Sequence, residues 1–215
     1  MARAAALLPV LAALVLIACS KDDDLRRYAV VRRADLWQAV ITDQDRGRLS
    51  RLTDAWIQAR ADVDAAGGGA ALTALGAVAA RALEQPQLPG PGAYRCRLVH
   101  MGWRQGQPTN VPPVQAGPFT PCTLAADGLL LRLDAVLDGQ RHVGALYPDV
   151  DRLVYLGTVG LPGERGQHRY GEDRDRDQLG VLEAVGPQQW RIALPWPRWT
   201  ARLTIIEILP DSAGG

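Results

Sequence analysis

The sequence predicts an α+β chain: an N-terminal helical hairpin followed by an antiparallel meander β-sheet, a small closed or partly closed barrel of about eight strands. Three observations predict it. Apolar residues recur at three- and four-residue intervals up to Glu84, a Pro/Gly-rich stretch from Gln85 to Gly92 interrupts them, and beyond it apolar and polar residues alternate. A sandwich and an open sheet covered by the helices are the alternative ways to bury such strands.

The N-terminus is of another kind. Arg3 is the only charge before Lys21, and Ala4 to Ala18 is apolar apart from a breaker at Pro9. Such a run covers roughly 22 Å as a helix, short of the ~30 Å hydrocarbon core. A positive start, a short apolar run and a small residue before Cys19 read as a signal peptide over 1–18. Leu16-Ile17-Ala18-Cys19 matches the lipobox of bacterial lipoproteins, so the expectation is export, cleavage before Cys19 and acylation of that residue. Two or more acyl chains anchor stably where one would not. Ser20, rather than Asp, after the cysteine points to the outer membrane of the cell envelope, with the chain facing the periplasm. An ordinary secreted protein with an incidental Cys19 is the rival reading. Residues 19–34 form a charged tether.

Residues 35–85 read as the helical hairpin. Thr42 can cap a helix whose third position is Asp45, and Leu49, Leu52, Trp56 and Val63 lie on one face. Gly67-Gly68-Gly69 stops that helix, and a second run with Leu72, Leu75, Val78 and Leu83 ends before Pro86. Trp37 and Trp56 belong to this apolar stripe as core.

From 94 to 210 the period is two. Tyr94, Cys96 and Leu98 share a side, as do Leu129, Leu131 and Leu133, and Trp190, Ile192 and Leu194. Further runs lie near 119–125, 141–147, 152–159, 179–185 and 202–209, with turn signals at Asp127-Gly128, Asp138-Gly139, Pro148-Asp149 and Gly186-Pro187.

Composition bounds the partners. Once Arg3 is removed, the 24 basic residues match the 23 acidic ones, which argues against nucleic acid. Of the three cysteines, acylation of Cys19 leaves Cys96 and Cys122 as a pair, a disulfide in an oxidising compartment. The rival reading makes one of them a nucleophile.

Tyr94-Arg95-Cys96-Arg97, Cys122, Gly139-Gln140-Arg141, Gly144-Ala145-Leu146-Tyr147-Pro148, Leu156-Gly157, Tyr170-Gly171 with Asp173 and Asp177, Gly180, Trp190-Arg191 and the strand of Glu207 resemble an exported bacterial family, often lipoproteins, catalogued as domain of unknown function 4893. The resemblance spans roughly Asp35 to Pro210. It implies no activity, ligand or catalytic residue.

Chemistry-bearing candidates are few. Serines occur only at 20, 50 and 212, which leaves no triad, and no catalytic residue or cofactor is assigned. His100, His142 and His168 lack metal-ligand spacing. Asp173, Asp175 and Asp177 copy the spacing of a calcium loop, but Gln178 and Ala184 stand where glycine and glutamate are needed, and a solvated charged turn is the plainer reading. Glu207 shares a face with Leu203, Ile205 and Leu209, so it needs a cation, with Arg141 or Arg191 as candidates; such a pair in a barrel mouth could hold a polar ligand or fix a register. The Pro195-Trp196-Pro197-Arg198-Trp199 segment reads as a barrel plug, or as a partner-binding loop.

The functional expectation is a membrane-anchored envelope lipoprotein that binds a small molecule or an envelope protein. The alternatives are an assembly accessory of an envelope complex and, further off, a carboxylate-dependent hydrolase.

Overall fold

The computed structural model describes residues 37–84, 86–104, 106, 110–128, 130–164, 166 and 168–211. The signal segment, Cys19 and the tether lie outside the described residues, as does Leu129.

A helical turn at 37–40 precedes α1 (Asp43–Leu49), α2 (Leu52–Ala65), α3 (Gly69–Ala74) and a turn of 3-10 helix (Gly76–Ala79). The hairpin is thus built from short pieces. Thr42 caps α1 as its position requires, its hydroxyl accepting from the Asp45 amide at 3.3 Å. The Asp45 carboxylate does not turn back on Thr42: it accepts from Arg48 and from the Tyr170 hydroxyl, each at 2.6 Å. At the end of α2, Gly67 takes a positive φ of 68°, while Gly68 N–H bonds Val63 O at 2.8 Å and Gly67 N–H bonds Asp64 O at 3.0 Å. This is a Schellman stop, and it needs a residue without Cβ.

Nine strands follow: β1 (Gly92–Met101), β2 (Val114–Ala116), β3 (Thr120–Asp127), β4 (Leu130–Leu137), β5 (Gln140–Pro148), β6 (Leu153–Gly160), β7 (Asp177–Gly186), β8 (Gln189–Pro195) and β9 (Leu203–Pro210). From β3 to β9 each pairs antiparallel with the next. β9 then pairs with β1 from Tyr94↔Pro210 to Met101↔Leu203, which closes an eight-stranded barrel. β1 exchanges partners along its other edge: β3 lies beside Gly92–Cys96, and the extra strand β2 beside Val99–Met101.

The alternation read from sequence becomes inside and outside. Cys96, Leu98, Leu133, Leu146, Tyr155, Leu182, Ile192 and Ile206 belong to the interior core. Tyr155 fits only because strands β5 and β6 carry glycine beside it: a Cβ on Gly144 or Gly157 would collide with its ring. On the outer face Ala55, Ala59 and Val78 pack against Val99, Met101, Ala193, Leu203 and Ile205, so helices and barrel share a core. Cys96 and Cys122 are bonded inside the barrel with Cα atoms 5.8 Å apart, where β1 changes partner.

One end of the barrel is shut. Tyr94 and Trp190 meet edge to face there with ring centroids 5.9 Å apart, and both tie down the Pro/Gly linker. The Trp190 indole donates to Gln87 O at 2.6 Å, and the Tyr94 hydroxyl donates to Gly90 O at 2.8 Å.

Candidate functional site

The other end is open, and it holds a cavity of about 700 Å³. Its walls are the inward residues of the strand ends. Leu98 and His100 come from β1, His142 from β5, Val159 from β6, Gln178 from β7, Leu194 from β8 and Thr204 from β9. An eight-stranded barrel has room for one small ligand at most, and here the room lies at the mouth. The rim comes from the loops. Asp138 and Gly139, with φ of 48° and 78°, make the two-residue β4–β5 turn, the conformation that suits the sheet twist and favours an Asp-Gly pair.

The β7–β8 ladder ends at Val181↔Ala193, although both strands continue toward the mouth. Arg48 bridges the parted strands from α1. It donates to Trp196 O at 3.4 Å and Asp177 O at 3.3 Å while its charge is met by Asp45 at 2.6 Å. The cavity therefore extends sideways over Asp177 and Leu179, which lie outside the barrel wall.

Two histidines stand among the polar lining residues. His100 Nδ1 lies 2.9 Å from Thr204 Oγ1, which is itself 3.0 Å from Thr200 Oγ1. His142 is 3% exposed, and its Nδ1 lies 3.0 Å from Gln178 Oε1. An amide oxygen can only accept, so Nδ1 carries the proton and Nε2 presents a lone pair. That Nε2 is buried with no partner among the described residues, and so is Asp177 Oδ2. Burial pushes His142 down to about 4 and lowers His100 too, so both are neutral at neutral pH. Burial raises Asp177, with the Gly171 amide acting against it. Deeper in, the Tyr155 hydroxyl lies over Gly157, also without a partner among the described residues.

Several residues singled out in the sequence take other roles. Glu207 is 2% exposed and paired, but on the outer face of the barrel. Its partners are Arg97 at 2.6 Å and the Gln189 amide at 2.6 Å, not Arg141 or Arg191. Arg97, Glu207, Arg191 and Glu183 stand opposite one another across β1, β9, β8 and β7, so Glu207 has an arginine on either side; it takes Arg97, and Arg191 takes Glu183. Arg191 pairs with Glu183 at 2.8 Å, caps Val78 O and Ala80 O, and lies 4.4 Å from the Trp56 ring. Arg141 pairs with Asp134 across an exposed hairpin.

The calcium candidate also dissolves. Asp173 Oδ1 accepts from the Asp175 amide, Asp175 pairs with Arg198 at 3.0 Å, and Asp177 Oδ1 accepts from Gly171 N–H. Among the described residues no cluster of three such side chains could hold a metal ion. The 195–199 segment is not a plug. Trp196, at φ 50°, turns back onto the helices and donates to Arg51 O, while Trp199 stands 61% exposed on the rim and donates to Asp175 O.

His100 and His142 are the site residues that sequence reasoning missed. Parity carried the signal: His100 continues the inward row of Tyr94, Cys96 and Leu98, and His142 continues that of Leu146 and Gly144. What the alternation lacks is the sheet closure that brings β1 and β5 to one mouth.

A family model described as a domain of unknown function (DUF4893) matches residues 37–208, which takes in the helices, the barrel and every strand residue of the mouth. The chain belongs to that family. No curated protein and no solved structure matches the chain.

Proposed function

We propose that the chain is a lipid-anchored binding module of the bacterial envelope, tethered through Cys19 and taking a small molecule into the open end of its barrel. The observation that carries the binding part is the mouth cavity, apolar on Leu98, Val159 and Leu194 and lined by a buried histidine nitrogen with no partner among the described residues. A sealed structural barrel has no use for such a group, since leaving a buried acceptor unpaired costs on the order of 1–3 kcal/mol. The address rests on the sequence before residue 20.

Two measurements test this reading. Mass spectrometry of the membrane-extracted protein should find residues 1–18 removed and acyl chains on Cys19; an unmodified Cys19 ends the anchoring proposal. A fragment screen by heteronuclear NMR should move the signals of His100, His142 and Leu194 together. Shifts confined to the outer surface would end the binding proposal.

The exposed Trp199, with Leu161 also exposed on the rim, favours a second reading in which the mouth docks on an envelope protein. A photo-crosslinker at 199 that captures one envelope protein, with no fragment entering the cavity, would favour it over the first.

A further inference from the structure

We propose that the ligand of the barrel mouth enters with an uncharged hydrogen-bond donor, a hydroxyl or an amide N–H, which it gives to His142 Nε2 while its apolar body rests on Leu98, Val159 and Leu194. The proposal rests on the small-molecule reading and adds the chemistry of the ligand to it.

The polar groups of the cavity wall are satisfied in a selective way. The three arginines of the wall have their donors engaged within the protein. Arg48 donates to Asp45 and to two backbone oxygens, Arg176 is engaged with Glu164 at 2.6 Å, and Arg198 with Asp175 and Gln44. The two wall atoms that are buried and unpartnered among the described residues, His142 Nε2 and Asp177 Oδ2, are both acceptors. A cavity of this kind asks for a donor. A second acceptor brought there would face a lone pair or a carboxylate and leave both sides desolvated.

His142 cannot easily change its role. Its Nδ1 is held by Gln178, and β5 is fixed between β4 and β6 by seven and eight register pairs. Burial and the neighbouring His100 both act against a charge on the ring, so the lone pair is available at neutral pH. An anionic group placed at Nε2 would need the protonated imidazole, and that form is the disfavoured one. With Nδ1 held by Gln178 and Nε2 left as a lone pair, this nitrogen suits an alcohol, a phenol or an amide N–H better than a carboxylate.

Three probes of one size decide the matter: α-naphthol, its O-methyl ether, and α-naphthoate. They share an aromatic body small enough for a cavity of about 700 Å³. Each is titrated at neutral pH against the native protein, with binding followed by calorimetry and by the ¹⁵N signals of the His142 ring. The expected result is that naphthol binds and shifts Nε2, that the ether binds at least about tenfold more weakly, and that naphthoate is weaker still. In His142→Phe, naphthol and ether should bind alike. The native protein alone settles the question if that variant does not fold.

Equal affinity for naphthol and ether, tightest binding of naphthoate, or a His142 ring whose proton sits on Nε2 would each overturn the proposal while leaving a binding cavity in place. Binding of none of the three would overturn the cavity reading along with it.

Discussion

At the scale of single residues, burial decides what a charge costs. Glu207 is almost wholly enclosed, whereas the Arg97 side chain keeps 21% of its surface in water and lies over Phe119. Removing either partner breaks the same ion pair with unequal results. Arg97→Met leaves a buried carboxylate with only the Gln189 amide, and we expect a loss of about 3 kcal/mol; Glu207→Gln leaves an arginine that water can reach, and the loss should be about half as large. Urea denaturation of the two variants measures the difference, and equal losses would mean that Glu207 is not the enclosed partner.

His142 gives the pH dependence. Its ordinary value of 6.5 applies to the unfolded chain, and burial brings the folded value to about 4. Between those limits the unfolded chain binds a proton that the folded chain refuses, so stability is full above about pH 6.5 and falls as the pH drops toward 4, by about 3 kcal/mol from this residue. His100, also lowered, adds to the loss. Asp177 opposes it at the acid end, since burial raises its carboxyl and the folded chain then holds the proton more tightly. Denaturation midpoints at pH 7 and pH 4.5 test the sign, and His142→Phe should flatten the profile.

Among the elements, β1 carries the most. It pairs with β9 along one edge and divides the other between β3 and β2, and the disulfide lies near that division. Cutting the bridge by Cys96→Ala with Cys122→Ala frees a loop with a separation of 26 positions, which in the chain-entropy description costs roughly 3–4 kcal/mol. Calorimetry of the double variant should show a lower midpoint and the same barrel by far-UV dichroism. The helices make smaller claims. Thr42→Ala removes the α1 cap and should cost about 1 kcal/mol, read from the same melting curves.

For the whole molecule, helices and barrel form one cooperative body, because Ala55, Ala59 and Val78 complete the outer packing of β1, β8 and β9. A chain beginning at Gly92 would expose Val99, Met101, Ala193, Leu203 and Ile205 together, a patch large enough to drive association. We expect the full chain to melt in one transition and the isolated barrel to aggregate in size-exclusion chromatography. A monomeric, folded barrel would show that the period switch at the Pro/Gly linker is also a boundary between independent units.

The sequence by itself determined the switch from helical to alternating period at Gln85–Gly92, the two alternating rows of each strand, the pairing of Cys96 with Cys122 by cysteine parity, and the need of Glu207 for a cation. These follow from spacing and residue counts, which are written in the chain. Which face of a strand becomes the inside is not. Leu203 and Ile205, in the row of Glu207, are apolar enough for a barrel interior, yet they lie outside because the helices cover them and the opposite row, Thr204, Ile206 and Ile208, turns inward. Only closure of β9 on β1 decides that. The same closure brings Arg97 against Glu207, from a segment more than a hundred residues away, on the side opposite Arg191, which β8 also sets beside Glu207 but which pairs with Glu183. It also gathers His100, His142, Gln178 and Thr204 from four strands into one mouth. Each is an ordinary polar residue in its own strand, and it becomes part of a site only when the strands end together.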